Sequence, residues 1–92
     1  MNEGILVILR PFTCNQKFYL FKNGEVTFEG HLPYDDRFAE EILEFAHIHQ
    51  LNTINISGPY GYAIKTSEGI QEKCASKYSN ENIIVNILSK KS

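Results

Sequence analysis

Carboxylates cluster where the sequence predicts the start of a helix. Asp35, Asp36, Glu40, Glu41 and Glu44 fall within ten residues. Paired carboxylates can act as general acid and base when burial separates their pKa values. The helical period places Glu40 and Glu44 on the outer face, and acids in a first turn interact favourably with the helix dipole. We therefore interpret the cluster as a solvated helix start and assign no catalytic residue to it.

The histidines and cysteines do not have the spacing of a metal site. His47 and His49 are two residues apart, which on a helix turns them about 160° from each other. We expect His31 in a turn, with no companion ligand. Cys14 and Cys74 lie far apart and form no Cys-x-x-Cys pair of the kind that holds zinc or works as a redox couple. We expect His47 at the surface, His49 partly buried and both cysteines buried. The sequence thus predicts no metal and no cofactor.

One turn stands out as a candidate binding segment. Gly58-Pro59-Tyr60-Gly61-Tyr62 follows a predicted parallel strand, and ligands of open α/β sheets bind at the carboxyl ends of such strands. The segment has neither the Gly-Lys-Ser/Thr ending of a phosphate loop nor the spacing of a dinucleotide fingerprint. The predicted partner- or ligand-binding residues are Tyr60, Tyr62, Lys65, Thr66 and Ser67, which could stack on a base or anchor a protein. The alternative is a turn whose tyrosines pack on the core.

Size and charge limit the class of protein. The chain has 92 residues, a formal net charge of −2 and a pI near 5.9, so it has no global positive field for holding a phosphate backbone. We predict a single domain over residues 1–92, with an ordered core over about 4–88 and a polar tail over 89–92. The apolar run 5–9 is too short to span a membrane and has no cleavage site after it, which favours the cytoplasm. Frequent Ile, Asn and Lys suggest an AT-rich genome, such as that of a bacteriophage or a low-GC bacterium.

Hydrophobic periodicity predicts the elements that would position these residues. Residues 4–10 are an apolar, β-branched run suited to a central strand buried on both faces. Residues 17–21 and 25–29 form a hairpin around Asn23-Gly24, and the alternation of Val26 and Phe28 with polar neighbours predicts an exposed edge strand. A helix capped by Asp35 or Asp36 runs to about 49, with core positions Phe38, Ile42, Phe45, Ala46 and His49. We predict a strand over residues 53–57, a second helix over 67–78 and a last strand over 82–88. The sequence does not decide whether residues 59–66 form a loop or the start of the second helix.

The order of these elements predicts the topology. A β-β-β-α-β-α-β chain with two right-handed crossovers makes the first, fourth and fifth strands parallel. The expected structure is a five-stranded mixed α/β sheet of order 3-2-1-4-5, with the second strand antiparallel to its neighbours.

This arrangement resembles the ribonuclease H-like fold over most of the chain. The closest similarity is to the Holliday-junction-resolvase branch, in which Ile54-Asn55-Ile56-Ser57-Gly58-Pro59 would occupy the fourth strand and its turn, and Ser67-Glu68-Gly69 would precede a helix. The resemblance implies magnesium-binding carboxylates on the first and fourth strands. Here Leu9 or Arg10 and Ser57 stand at those positions, and no later helix is expected to supply a third acid. We therefore do not carry the nuclease activity over.

Three functional hypotheses follow. The preferred one is a non-enzymatic interaction module, phage-encoded by its composition, that binds a protein partner or itself through the 26–28 edge or the 60–67 segment. The second is a divergent metal-dependent nuclease or resolvase using Asp35, Asp36 and Glu44. The third is noncatalytic nucleic-acid binding through Lys65, Lys73, Lys77, Lys90 and Lys91.

Overall fold

The structure, a computed structural model, describes residues 3–88. The predicted polar tail at 89–92 lies outside the described residues. The elements in chain order are β1 (Gly4–Ile8), β2 (Asn15–Lys22), β3 (Glu25–Pro33), α1 (Phe38–Ile48), β4 (Thr53–Ser57), α2 (Tyr60–Lys77) and β5 (Ile84–Ile87).

The five strands form one mixed sheet in the predicted order, β3-β2-β1-β4-β5. β1 pairs parallel with β4, β4 pairs parallel with β5, and β2 is antiparallel to both β1 and β3. The chain folds into one body with a Cα radius of gyration of 12.2 Å. The predicted α/β class and topology are thus confirmed.

Both helices pack on the same face of the sheet. Ile5 and Val7 of β1 and Ile54 and Ile56 of β4 are fully buried against the helix side chains. On the other face, Leu6, Ile8, Tyr19 and Phe21 are only half-buried. The two crossovers, from β3 to β4 and from β4 to β5, run in the same direction across the sheet, and right-handed connections then place both helices on one side. The molecule has two layers, and β1 is covered by helices on one face instead of two.

A bulge in the β2–β3 hairpin changes which side chains share a face. Asn23 and Gly24 adopt the positive φ angles of 53° and 79° that the predicted tight turn needs. The register then shifts, so that Phe28 lies opposite Leu20 and Val26 lies opposite Phe21. Because consecutive β2 residues point to opposite faces, Val26 and Phe28 do so as well. The prediction that β3 is an edge strand is confirmed. The prediction that Val26 and Phe28 share one face of β3, opposite a solvent-exposed polar face, is wrong.

Helix α1 begins later than predicted and ends close to the predicted position. It starts at Phe38, and the Asp35 carboxylate accepts a hydrogen bond from the Arg37 amide at 2.9 Å without capping the helix itself. The helix ends at Ile48, and the next residue, His49, is exposed with its ring stacked on Phe45 at 6.3 Å. The prediction of a partly buried His49 is therefore wrong. His47 is at the surface as expected, bonded to Glu81.

Helix α2 extends over the segment that the sequence left open. It starts at Tyr60, with the Ala63 amide donating to the Pro59 carbonyl at 2.9 Å. Its buried residues, Ala63, Thr66, Ser67 and Ile70, have the i, i+3, i+4, i+7 spacing of a helix face. Small and hydroxylated side chains at three of these positions concealed the periodicity.

The predicted burial of the cysteines is also wrong in detail. Cys14 is exposed, because it lies in the loop between β1 and β2. Cys74 on α2 is half-buried, and its thiol donates to the Tyr78 carbonyl at 3.9 Å. Within residues 3–88, no helix is both long and apolar enough to cross a membrane.

Candidate functional site

The carboxyl ends of β1 and β4 meet at a glycine. The Leu9 amide donates to the Ser57 carbonyl at 2.8 Å, which extends the parallel pairing just beyond both strands. Gly58 follows with a φ of 144°, and a Cβ built there would lie 2.7 Å from the Leu9 carbonyl oxygen. Only glycine fits this close approach without backbone movement. The junction sets the position of the β1–β2 loop, residues 9–14, beside the first turn of α2.

Gln16 holds this loop in one conformation. Its side chain is 4% exposed; its Oε1 accepts from the Arg10 amide at 2.6 Å, and its Nε2 donates to the Thr13 carbonyl at 2.9 Å. The Thr13 hydroxyl in turn donates to the Arg10 carbonyl at 2.8 Å. The side-chain amide of Gln16 thus makes hydrogen bonds to backbone groups of the loop, which have no neighbouring strand to pair with.

Phe12 projects from the tip of the loop into solvent. Its side chain is fully exposed, and its backbone has a φ of 65°, a region that non-glycine residues rarely adopt. An apolar ring gains nothing from full exposure, and the backbone conformation adds a strain of about 1–3 kcal/mol. The fold therefore presents an aromatic ring on a backbone conformation that costs free energy, and this strain makes Phe12 a candidate binding residue.

A cleft of about 210 Å³ opens beside Phe12. We call it the loop cleft; its lining residues are Leu9, Arg10, Pro11, Phe12, Thr13, Cys14, Gln16, Tyr34 and Tyr62. The lining combines three aromatic rings with hydroxyl groups and one cation, the Arg10 guanidinium. Among the described residues, no carboxylate lines it.

The predicted site residues divide between the loop cleft and a second cavity. Tyr62 is exposed and lines the loop cleft, whereas Tyr60 is half-buried and lines neither cavity. Lys65 and Thr66 line a groove of about 370 Å³ between the two helices. Ser67 is buried and accepts from Gln71 Nε2 at 2.8 Å. The full groove lining is Tyr34, Asp35, Asp36, Phe38, Ala39, Lys65, Thr66, Gly69, Glu72 and Lys73.

Tyr34 separates the two cavities, and sequence reasoning missed it. Its ring packs edge-on against Phe38 at 5.2 Å, and its hydroxyl hydrogen-bonds to that of Thr66 at 2.8 Å. Tyr34 and Thr66 are 32 residues apart, so no local pattern brings them together. Gln16, Thr13 and Phe12 were missed as well, and the sequence signal that could have found them is the polar Thr-Cys-Asn-Gln stretch directly after Pro11-Phe12.

The acidic residues of the nuclease hypothesis do not converge. Asp35 and Asp36 line the same groove as Lys65 and Lys73, while Glu44 lines a different cavity together with Arg37. Between residues 3 and 88, no three His, Cys, Asp or Glu side chains are grouped to hold one metal ion.

The basic residues of the nucleic-acid hypothesis are partly paired. Lys77 donates a hydrogen bond to Glu40, and this bond and the charge of Lys77 lower the pKa of the Glu40 carboxyl, while the same bond raises the pKa of Lys77. Lys65 and Lys73 share the groove with three acids, and Lys90 and Lys91 lie outside the described residues. The nuclease and nucleic-acid hypotheses stay predictions.

The fold is that of a two-layer α/β protein, and it has an aromatic cleft at the carboxyl ends of its central strands β1 and β4. Its sequence matches no known family model and no curated protein.

Proposed function

We propose that the protein is a non-enzymatic binding module that holds a short segment of a protein partner in the loop cleft. The observation that carries this proposal is Phe12, a fully exposed ring held at a strained φ beside Tyr62 and the cleft. Aromatic and arginine side chains dominate the energetics of protein interfaces, and here both types occur together on a loop that Gln16 fixes. A preorganised loop reduces the entropy lost on binding.

The lining also indicates the chemistry of the partner segment. Of the described residues that line the loop cleft, Arg10 is the one with a charged side chain, so a carboxylate on the partner would meet a cation and none of the described acids. Phe12, Tyr34 and Tyr62 supply apolar surface around it. The proposed partner segment therefore carries one acidic residue flanked by apolar ones.

The wider setting of this function is proposed as well. The β3-β2-β1-β4-β5 order supports a relationship to the ribonuclease H-like fold. The residue composition supports a phage-encoded protein that works in the host cytoplasm.

Phe12 is the aromatic anchor of the proposed site, and peptide binding tests it. Peptides are selected from a random display library against the full chain, and the Kd of a selected peptide is measured by calorimetry. Phe12→Ser is expected to weaken binding by about tenfold or more, because buried aromatic anchors carry most of the energy at such sites. Arg10→Gln is expected to reduce the salt dependence of binding to the same peptide.

The matched control is Ile48→Ser, which removes an exposed apolar side chain at the C-terminal end of α1, outside the loop cleft. It is expected to leave the Kd unchanged. The proposal is contradicted if the selections yield no binder, or if Phe12→Ser and Ile48→Ser bind the peptide equally well.

A further inference from the structure

The face of the sheet opposite the helices has an apolar centre and no covering layer among residues 3–88. Leu6 and Ile8 of β1 and Tyr19 and Phe21 of β2 alternate with buried core residues, so they point away from the helices. At the margins of the sheet, Val26 and Ile84 are exposed on the same side. We call this surface, Leu6, Ile8, Tyr19, Phe21, Val26 and Ile84, the open face.

We propose that the open face is a homodimer interface, covered by the open face of a second copy of the chain. This surface is distinct from the loop cleft, which is lined by Tyr62 of α2 and the core residue Leu9 on the helix side of the sheet. The inference therefore does not depend on the proposed function.

The charge of the open face favours a second copy over other occupants. Among the described strand residues, its formal charges are one cation, Lys17, and one anion, Glu29, whose Nζ and Oε2 atoms are 3.9 Å apart. The face has no net charge, so two copies can approach each other without repulsion, whereas a nucleic acid or an anionic lipid would find no unpaired cation. Lys17 and Glu29 can also exchange partners across a two-fold axis.

Asn55, a buried polar residue on the same side of the sheet as the open face, has its hydrogen bonds within the chain. Asn55 is 2% exposed; its Nδ2 donates to the Ile5 carbonyl at 3.3 Å, and its Oδ1 accepts from Asn86 Nδ2 at 3.1 Å. Covering it with a second sheet leaves these bonds intact, so burial of this amide does not oppose association.

The size of the open face suits a specific dimer. Five strands at about 4.8 Å spacing are about 24 Å wide. The strands have four to nine residues, which at about 3.3 Å per residue run about 13–30 Å. The flat projection of the sheet is thus about 300–700 Å², of the same order as the roughly 800 Å² that each partner buries in a standard interface. Sheets packed face to face in this way form the core of β-sandwiches.

The test compares identical substitutions on the two layers. Sedimentation velocity of the full chain from about 10 µM to about 1 mM is expected to show the mass rising from one chain to two, over the Kd range of weak to moderate homodimers. Tyr19→Lys at the centre and Ile84→Lys at the margin of the open face are expected to raise the dimer Kd by about tenfold or more, because each buries a new charge. Ile84 is exposed in the single chain, so this variant folds even if Tyr19→Lys does not.

Ile48→Lys makes the same replacement at an exposed isoleucine of the helix layer and is expected to leave the Kd unchanged. Phe12→Ser is likewise expected to remain dimeric, which separates this test from that of the loop cleft. The inference is overturned if the wild-type chain is monomeric at every concentration. It is also overturned if both lysine variants of the open face remain as dimeric as the wild type, or if Ile48→Lys raises the dimer Kd as much as they do.

Discussion

Gly58 shows how one residue fixes the geometry of the candidate site. It stands where β1 and β4 end side by side, and the space that its missing Cβ leaves is filled by the Leu9 carbonyl. A larger residue there would push the β1–β2 loop away from α2. The residue thus links the sheet to the loop that carries Arg10 and Phe12.

Gly58→Ala is predicted to destabilise the fold by roughly 1–3 kcal/mol, from a disfavoured φ and the close contact with Leu9. The measurement is the free energy of unfolding in urea. The matched control is Gly61→Ala in the first turn of α2, where an added Cβ would meet no atom within 4 Å beyond its chain neighbours and the helix's own backbone. Helix propensity there favours alanine by about 0.5–1 kcal/mol. Equal stability of the two variants would show that the junction does not require glycine.

At the scale of elements, helices α1 and α2 are linked by an ion pair between Glu40 and Lys77. Because the hydrogen bond from Lys77 lowers the pKa of Glu40 in the folded state, protonation of that carboxyl opposes folding. The contribution is fully present above the ordinary pKa of 4.5 and is lost as the pH falls through the lowered folded-state value. The pair is at the surface, so its effect is small and decreases with salt.

Glu40→Gln is therefore predicted to lower the urea midpoint at neutral pH, with the difference from wild type shrinking as the pH falls below about 4.5. Glu68→Gln is the matched control, an exposed glutamate on α2 with no ion pair among the described residues, and it is expected to change little at any pH. If the difference in urea midpoint between Glu40→Gln and the wild type stays constant down to pH 3, the stabilising role assigned to the Glu40–Lys77 ion pair is contradicted.

Local sequence patterns predicted some of the elements and missed others. Strand order and hairpin turn followed from apolar runs, from Asn23-Gly24 and from the handedness of crossovers, which are local or general constraints. The face assignment of Val26 failed because a bulge depends on how two strands pair. Of the candidate site, Tyr62 was predicted; Tyr34 and Gln16 were not, because their roles arise from contacts with residues that only the folded chain brings near.

For the whole molecule, the arrangement of two helices on one side of a five-stranded sheet has an energetic consequence. The core has one layer of helix side chains, while Leu6, Ile8, Tyr19 and Phe21 on the other face are only half-buried. Chains of this size bury only about 60–65% of their unfolded surface. Association through the open face would add apolar burial that the single chain cannot supply.

The homodimer therefore predicts a thermal midpoint that depends on protein concentration. Because the dimer binds only folded chains, raising the concentration stabilises the folded state by mass action. Scanning calorimetry of the wild type over a hundredfold concentration range is expected to show a rising Tm, with an added stability of up to about 2.7 kcal/mol when the chain is at about one hundred times its dimer Kd. Ile84→Lys, which removes the association but leaves the single chain intact, is expected to show a constant Tm equal to that of the wild type at its lowest concentration. A constant wild-type Tm would mean that the single chain carries all of its own stability and that the open face is solvent-exposed in the native protein.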